Sequence, residues 1–363
     1  MKKNVIIFCP FLAKGGLEKS TVNISNYLSK KHNVVIVTNS KSLENLNKIS
    51  LRVKIINPGI SLLNHFRLFN NIFCLIISMF LVKKNSIILS LQEPFFLLIL
   101  KFLFNPNFKL VIRTPSAIEN DKNIYEQKNI RKVVKNKKFS ILLYKYADLI
   151  ITGSKNNKLF LDKKIKVKKV VTINNFFPKN NLIKYKKKKP KNIFFIGRLT
   201  WDKNPIFFIK SLLPILNKYD LKIHIVGDGP DYEIIKNLSY QNKTRIKLYG
   251  FIKNPFKRFC NKIDIFSINS KFDGTPNVLG EAMSYGIPCI APKNVGLVNE
   301  FLLDGKYGSI YMPDNKKDFQ EKIVKIINNY NLYIKKARYG YKSLHQYNAN
   351  NTLGKIEKLI SNI

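Results

Sequence analysis

Arg198 and Lys203 lie five residues apart in one loop, directly after an apolar run that ends at Gly197. Two cations that extend from the end of a strand can neutralise a diphosphate, because guanidinium and ammonium groups both donate charge-assisted hydrogen bonds to phosphate oxygens. The spacing therefore favours a diphosphate site in this loop. The alternative is a pair of ordinary surface cations, which many loops of so basic a chain contain.

Asp273 and Glu281 form a second candidate group, separated by a glycine-bearing loop and the start of a predicted helix. Backbone N–H groups and the helix dipole at such a start favour a phosphate. We expect Glu281 to accept hydrogen bonds from ribose hydroxyls and Asp273 to accept them from sugar hydroxyls. The alternative is a helix-capping loop with a buried, paired glutamate.

Gly15 and Gly16 follow the first predicted strand and open a helix. Backbone N–H groups without side chains in the way can bind an anion there, although an ordinary turn with an N-cap explains the pair equally well. The loop matches neither the dinucleotide-binding fingerprint nor a Walker A motif, so dehydrogenases and P-loop NTPases lose support.

Gly227 and Gly229 follow another predicted strand and permit a tight turn close to a flat ligand. Asp228 and Asp231 in the same loop are interpreted as caps of the next helix, since aspartate is a preferred N-cap residue.

Valine- and isoleucine-rich runs that do not alternate with polar residues predict strands buried on both faces, which is typical of parallel sheets. The predicted strands are residues 5–8, 34–38, 53–56, 87–90, 110–113, 149–152, 192–196, 222–226, 246–249, 263–267 and 288–291. The predicted helices are residues 15–30, 64–84, 128–146, 204–219, 231–240, 278–285 and 314–330. This alternation predicts an α/β protein with two doubly wound domains.

The chain has 363 residues, which suits two domains. A lysine run at 184–191 predicts a solvated linker. We therefore predict an N-terminal domain at 1–183, this linker, a C-terminal domain at 192–340, and a C-terminal helix within 341–363 that packs back on the N-terminal domain.

The charge is strongly positive, with 64 Lys and Arg against 22 Asp and Glu and a formal net charge of +42. Residues 122–191, here called the basic tract, contain 22 Lys and Arg and three acids, and so carry +19 of that charge. Such a surface favours an anionic partner, and compositional drift is the alternative.

Two apolar stretches, residues 72–82 and 94–104, are shorter than the roughly 20 residues of a membrane-spanning helix. Each predicts either a buried core helix or an apolar face that enters a bilayer surface. The first apolar run of the chain is too short for a signal peptide, and its four cysteines show no C-x-x-C spacing. These features favour a reducing cytoplasm.

The ordered set of Gly15-Gly16, Gly197-Arg198-Leu with Lys203, Gly227-Asp-Gly-Pro and Asp273-Gly-Thr-Pro-Asn-Val-Leu-Gly-Glu resembles the glycosyltransferase group 1 family. These are the family 4 retaining enzymes with the GT-B fold, in which two Rossmann-like domains face a central cleft. The resemblance covers about residues 1–340, and the block that begins at Asp273 is its most specific part.

The resemblance implies that the first domain binds the acceptor and the second binds the nucleotide-sugar. It implies that Arg198 and Lys203 hold the diphosphate and stabilise the departing nucleotide, with Glu281 on the ribose and Asp273 near the donor sugar. No metal and no cofactor besides the donor is expected. The donor-binding residues that it implies are Gly15, Gly16, Gly197, Gly227, Gly229, Gly274, Thr275, Pro276, Asn277, Val278 and Leu279.

Two positions depart from the family pattern. The acidic pair usually consists of two glutamates, and here its first member is Asp273, one methylene shorter. Many members also place a histidine in the first domain near the donor sugar, but no histidine follows the predicted strands at 87–90 and 110–113. Glu93, Arg113 and Ser116 are the candidates for its place.

The expected function is retaining transfer of a sugar from a nucleotide-sugar, a UDP-sugar by analogy, to a glycan or polyprenyl-diphosphate-linked acceptor in bacterial lipopolysaccharide or capsule synthesis. The expected place is the cytoplasmic face of the plasma membrane, on anionic lipid. One alternative is a non-catalytic GT-B relative that serves as a scaffold. Another is a nucleic-acid-binding protein, but most phenylalanines lie in apolar runs and no RRM, KH or zinc-finger pattern occurs, so no nucleic-acid partner is expected.

Overall fold

The chain forms two compact units, each built around its own parallel sheet. Unit 1 consists of Met1–Asn174 and Asn350–Ile363, and unit 2 consists of Asn175–Ala349. The computed structural model describes residues 2–11, 16–40, 48–60, 62–91, 94–104, 106–114, 142–165, 169–178, 180–183, 185 and 189–363. The predicted pair of doubly wound α/β domains is confirmed.

Unit 1 contains a seven-stranded parallel sheet in the order β3-β2-β1-β4-β5-β6-β7. Its strands are β1 (Asn4–Phe8), β2 (Asn33–Val37), β3 (Val53–Ile56), β4 (Ser86–Ser90), β5 (Phe108–Thr114), β6 (Leu149–Thr152) and β7 (Val170–Thr172). The strand order reverses between β1 and β4, and doubly wound domains bind ligands beyond such a switch point. The loops that follow these two strands contain Gly15 and Glu93, which lie outside the described residues.

The described helices of unit 1 flank this sheet, and the last of them comes from the end of the chain. They are α1 (Gly16–Leu28), α2 (Arg67–Phe80), α3 (Phe95–Phe104), α4 (Lys155–Ile165) and α12 (Ala349–Ser361). Glu357 on α12 lies 3.1 Å from the Lys31 ammonium and 3.4 Å from the His32 ring. These contacts fasten the C-terminal helix to the segment that follows α1.

Unit 2 contains a six-stranded parallel sheet in the order β10-β9-β8-β11-β12-β13. Its strands are β8 (Asn192–Ile196), β9 (Lys222–Val226), β10 (Ile246–Leu248), β11 (Ile265–Ser267), β12 (Cys289–Pro292) and β13 (Ser309–Tyr311). Its helices are α5 (Pro205–Leu212), α6 (Tyr232–Gln241), α7 (Pro255–Phe259), α8 (Asn277–Met283), α9 (Val298–Phe301), α10 (Lys316–Asn328) and α11 (Tyr330–Ser343). The order reverses between β8 and β11, which makes these neighbouring strands the switch point.

Every strand predicted from the sequence is present, with ends that differ by no more than two residues. The prediction missed β7 and β13, because three residues are too few to form a recognisable apolar run. It also missed α4, whose sequence is mostly polar, α11, in which tyrosines alternate with charged residues, and the short helices α7 and α9. The predicted helix at 128–146 and much of the basic tract lie outside the described residues.

The segment between the two sheets packs on unit 2. Phe177 belongs to the apolar core of that unit. Within the predicted linker at 184–191, the Tyr185 ring meets Tyr330 edge-on with 6.0 Å between ring centroids, and Pro190 is buried. The aromatic and proline side chains therefore leave solvent, although lysines surround them in the sequence.

His224 on β9 is fully buried between two polar partners. Its Nδ1 lies 2.9 Å from the Tyr249 hydroxyl and its Nε2 lies 2.9 Å from Asn192 Oδ1. Because an amide oxygen only accepts, Nε2–H donates to Asn192 and Nδ1 accepts from Tyr249. Burial, reinforced by the positive charges of nearby lysines, lowers the pKa of His224 to about 3.

We expect the free energy of unfolding to fall as the pH is lowered through the range between 6.5 and 3. The unfolded chain protonates this histidine near pH 6.5, whereas the folded chain resists protonation until about pH 3. His224 alone should remove about 2 kcal/mol between pH 6.5 and pH 5. Urea unfolding at both pH values tests this, with His224→Gln as the comparison. An equal loss of stability in the wild type and the variant would contradict it.

Candidate functional site

The candidate site of unit 2 lies at its strand-order switch point. The loop that carries Arg198 and Lys203 follows β8, and the loop that carries Asp273 follows β11, its neighbour in the sheet. Parallel strands end at the same edge of a sheet, so the two loops lie next to each other. The backbone N–H of Lys271 donates to the Asp202 carbonyl at 2.8 Å and fastens one loop to the other.

Lys203 and Asp273 form the central contact of this site. The Lys203 ammonium donates to Asp273 Oδ2 at 2.6 Å, and the two side chains are only 20% and 16% exposed. Partial burial makes a cation without a counter-charge costly, so Asp273 compensates Lys203 and fixes its position. An ammonium group has three N–H donors, so donors besides the one used by Asp273 can reach an anion.

Arg198 lies in the same loop and is far more exposed. Its side chain is 72% accessible and its guanidinium nitrogen lies 3.7 Å from Asp202 Oδ2. That distance is too long for a strong hydrogen bond, and an exposed pair of this kind contributes little to stability. The guanidinium is therefore available to an incoming anion, whereas Lys203 is already positioned.

Gly227 and Gly229 serve the packing of one loop against another. A β-carbon added at Gly227 would lie 1.8 Å from the Gly197 carbonyl oxygen, and one added at Gly229 would lie 2.5 Å from the Leu199 carbonyl oxygen. Both residues also have positive φ angles, which side chains disfavour. Glycine is needed here because the loop after β9 supports the backbone of the Arg198 loop.

The N–H groups of these glycines donate within the protein. Gly197 donates to the Val226 carbonyl at 3.0 Å, and Gly227 donates to the Gly250 carbonyl at 2.9 Å. The Gly229 N–H donates to Asp228 Oδ1 at 2.8 Å. The structure therefore gives these three glycines a supporting role beside the site.

Neither Asp228 nor Asp231 makes the side-chain hydrogen bond to the start of α6 that the capping interpretation requires. Asp231 occupies the N-cap position of α6, but its carboxylate makes no capping hydrogen bond. The Asp228 carboxylate accepts from Gly229 instead. Asp231 therefore stands at the start of α6 by position, and the Asp228 carboxylate bonds within the turn before it.

The run from Gly274 to Leu279 leads into α8, which begins at Asn277. Thr275 and Pro276 lie in the loop itself, Val278 lies in the first turn of the helix, and Glu281 lies further along it and is half-buried. The Leu279 side chain is fully buried and its N–H donates to the Pro276 carbonyl at 2.9 Å. Leu279 is thus engaged in the helix.

Gly296, which the sequence analysis missed, supports the Asp273 loop from behind. A β-carbon there would lie 2.5 Å from the carbonyl oxygens of both Asp273 and Gly274, and its φ is +53°. The loop after β12 can approach the acidic loop this closely only through glycine. A glycine following a predicted strand at the same sheet edge was the available signal.

Trp201 lies in the same loop as Arg198 and Lys203. Its indole lies under the Lys271 ammonium, 5.1 Å from nitrogen to ring centroid, and packs at 5.9 Å against the Phe272 ring. Lys271 also lies 3.6 Å from Asp314. The neighbouring Thr200 hydroxyl is buried and has no hydrogen-bond partner. A ligand or a water molecule could supply the missing partner of the Thr200 hydroxyl, which lies between Arg198 and Lys203 in the sequence.

The first-domain candidates are only partly described. Gly16 begins α1, whereas Gly15, Glu93 and Ser116 lie outside the described residues. Arg113 lies on β5 and is 9% exposed. Burial lowers the pKa of Arg113 to about 10.

Among the described residues, no group of three or more His, Cys, Asp or Glu side chains is arranged to hold a metal ion.

Residues 176–343 match the family model described as Glycosyl transferases group 1. The match covers nearly all of unit 2 and contains every candidate residue from Gly197 to Leu279, together with Glu281. The resemblance to this family that the motifs indicated is confirmed.

Two curated relatives come from Campylobacter jejuni. An N-acetylgalactosamine-N,N'-diacetylbacillosaminyl-diphospho-undecaprenol 4-alpha-N-acetylgalactosaminyltransferase is 29% identical over 239 residues, 62% of this chain and 62% of that protein. A GalNAc-alpha-(1->4)-GalNAc-alpha-(1->3)-diNAcBac-PP-undecaprenol alpha-1,4-N-acetyl-D-galactosaminyltransferase is 23% identical over 341 residues, 88% of each chain. Across three of the curated relatives that it matches, the chain spans between 40% and 62% of the relative's length.

The fold has solved counterparts. The crystal structure of HepE from Anabaena in complex with UDP and glucose matches with a TM-score of 0.76 and 16% identity, over 99% of this chain and 100% of that chain. At such low identity the likeness concerns the fold, and the predicted GT-B fold is confirmed.

Proposed function

We propose that this chain, whose residues 176–343 match the family model described as Glycosyl transferases group 1, is a retaining glycosyltransferase that uses a nucleotide-sugar. The observation that carries the proposal is Lys203, which Asp273 holds at 2.6 Å beside Arg198 at the switch point of that domain. Two cations at this place suit a diphosphate. The donor would therefore bind to unit 2.

The main chemical demand of the reaction is stabilisation of the leaving group. The bond between the anomeric carbon and the nucleotide diphosphate breaks, and negative charge develops on the diphosphate. Arg198 and Lys203 supply two positive charges where that charge appears, and such preorganised electrostatics is a large part of many catalytic effects. Asp273 keeps the Lys203 ammonium in place before the donor arrives.

The acceptor would attack the anomeric carbon from the face that the diphosphate leaves. The acceptor hydroxyl oxygen forms the new bond to the anomeric carbon on the side from which the diphosphate departs, so the anomeric configuration is retained. The hydroxyl proton passes to an oxygen of the leaving phosphate. No side chain needs to act as a strong base in this scheme, and the cations remain charged throughout.

The acidic residues would orient the donor. Asp273, while it retains Lys203, can accept a hydrogen bond from a sugar hydroxyl. Glu281 would accept from the ribose, and the N–H groups of Gly274, Thr275, Asn277 and Val278 would face the sugar and phosphates. The aspartate reaches one methylene less far than glutamate, so its sugar contact would be shifted or mediated by water.

Relatives and structural neighbours suggest the substrates. HepE was solved with UDP and with UDP-glucose, which favours a UDP-sugar donor. The names of the Campylobacter relatives specify undecaprenol-linked diphosphate acceptors, which favours a polyprenyl-diphosphate-linked saccharide. We place the reaction in bacterial surface-glycan synthesis, at the cytoplasmic face of the plasma membrane.

A non-catalytic GT-B scaffold is the second candidate, and the replacement of the first family glutamate by Asp273 is the observation that favours it. The presence of Arg198, Lys203 and Glu281 supports the enzyme instead. The matched relatives are named glycosyltransferases, which gives no support to a nucleic-acid-binding protein.

A nucleotide-release assay tests the proposed function. The full chain is incubated with a panel of nucleotide-sugars, with and without a polyprenyl-diphosphate-linked saccharide. We expect release of UDP from one UDP-sugar, increased by the acceptor, and a product with the same anomeric configuration as the donor. A folded protein that releases no nucleotide from any donor would support the scaffold, and an inverted product would exclude retention.

A further inference from the structure

Helix α2 exposes several large apolar side chains although it buries two polar ones, while Cys74 and other apolar residues of the helix pack on the core. Asn70 and Ser78 are fully buried. On the opposite side Phe69, Ile76 and Phe80 are 58%, 49% and 86% exposed. These three residues are spaced by seven and four positions, so they lie along one stripe of the helix. In an ordinary surface helix, the stripe that faces solvent carries polar or charged residues.

Helix α3 buries Leu97 and Leu98, and its C-terminal end combines a buried charge with exposed apolar residues. Its only charged residue, Lys101, is 8% exposed, and its ammonium donates to the Phe108 carbonyl at 2.7 Å. The three residues that follow, Phe102, Leu103 and Phe104, are 49%, 60% and 71% exposed. The Lys101 ammonium therefore points into unit 1 and leaves the exposed end of this helix without a charged side chain.

The two helices lie side by side on one face of the sheet, and both expose apolar side chains. Cys74 of α2 and Leu97 of α3 belong to the same core cluster, so both helices lie on one side of the sheet, and they pack against each other. Leu62 and Phe66, just before α2, are also exposed. We define the apolar face by the exposed residues Leu62, Phe66, Phe69, Ile76, Phe80, Phe102, Leu103 and Phe104.

The chain segment that carries the apolar face is mostly positive. Residues 49–114 contain eight Lys and Arg residues and a single acid, Glu93. Lys83 and Lys84, just after α2, are exposed, whereas Lys109 on β5 lies 3.5 Å from the carboxylate of Asp148. A partner for this surface must accept apolar side chains and carry negative charge at its boundary. A second copy of the chain meets only the first condition, because each copy carries +42.

We propose that the apolar face docks onto an anionic lipid bilayer. The phenylalanines enter the boundary between headgroups and acyl chains, and Lys83 and Lys84 contact the lipid phosphates. None of the described helices is long and apolar enough to cross a membrane, and this docking requires none to do so. Docking would bring unit 1 to a lipid-linked acceptor, and this purpose rests on the proposed function.

Vesicle flotation of the full chain tests the proposal. We expect recovery with vesicles of phosphatidylcholine and phosphatidylglycerol, and much less with phosphatidylcholine alone. The triple variant Phe69→Ser, Phe80→Ser, Phe104→Ser should lose recovery about 10-fold or more. The control Phe251→Ser removes a side chain of unit 2 that is 69% exposed, and should float like the wild type.

Three results would overturn the proposal. They are failure of the wild type to float with anionic vesicles, equal recovery of the triple variant and the wild type, and a lipid-free dimer that the triple variant abolishes. A thermal shift with the nucleotide-sugar separates this proposal from the proposed function. The triple variant should keep the wild-type shift, which also shows that it is folded. A wild type that floats but shows no nucleotide-sugar shift would contradict the enzyme and leave the docking surface standing.

Discussion

Lys203→Ala is expected to lower turnover about 100-fold or more in the nucleotide-release assay, in line with the loss of one preorganised charge at a developing anion. Lys203 is only 20% exposed and Asp273 fixes it at 2.6 Å, so its ammonium needs little rearrangement during the reaction. Arg198→Ala is expected to cause a loss of similar size, because Arg198 supplies the second charge. Each variant is measured as kcat under saturating donor.

Lys210→Ala is the matched control for these two variants. Lys210 lies in the last turn of α5, close in sequence to the site loop, and its side chain is exposed. The control should keep wild-type turnover. Turnover near the wild-type value in both Lys203→Ala and Arg198→Ala would remove the electrostatic account of catalysis.

Gly227→Ala should destabilise unit 2 by about 3 kcal/mol or more, because it combines backbone strain with overpacking. The added β-carbon would lie 1.8 Å from the Gly197 carbonyl oxygen, and the φ of +156° is one that side chains rarely adopt. Either the β9 loop or the Arg198 loop must move. Thermal unfolding should therefore show a lower Tm, and the remaining folded protein should bind the donor more weakly.

Gly250→Ala is the control that separates backbone strain from the steric clash of the added β-carbon. Gly250 has a φ of +68°, but a β-carbon there would have no neighbour within 4 Å. Its cost should be the left-handed conformation alone, about 1 kcal/mol. Equal losses of stability in the Gly227 and Gly250 variants would show that the loop contact is unimportant.

The parallel sheets were predictable because buried strands leave continuous apolar runs such as those of β1, β4 and β8. The charged loops were predictable too, since the topology places loops after strands at one edge. The contact between Lys203 and Asp273 was not, because it joins residues 70 positions apart whose distance depends on the register of β8 beside β11. Short strands such as β13 carry too few residues to produce a pattern.

Some patterns supported two interpretations, and three-dimensional neighbours decided between them. Gly227 and Gly229 suggested space for a ligand, but the space is filled by the backbone of residues 197–199. The apolar run at 72–82 suggested a core helix or a lipid-facing one. In the structure one helix has a core-facing side and an exposed apolar side, since Cys74 is buried while Ile76 is half exposed. Hydrophobicity along a sequence does not reveal which side of a helix meets the sheet.

Calorimetric titration of the nucleotide-sugar into the full chain tests most directly whether the loop after β8 is the diphosphate site. We expect saturable binding by the wild type and by Lys210→Ala, and at least about 10-fold weaker binding when Arg198 and Lys203 are both replaced by alanine, since two charge-assisted contacts are lost. Wild-type affinity in that double variant, or no binding of any nucleotide-sugar by the folded wild type, would contradict it.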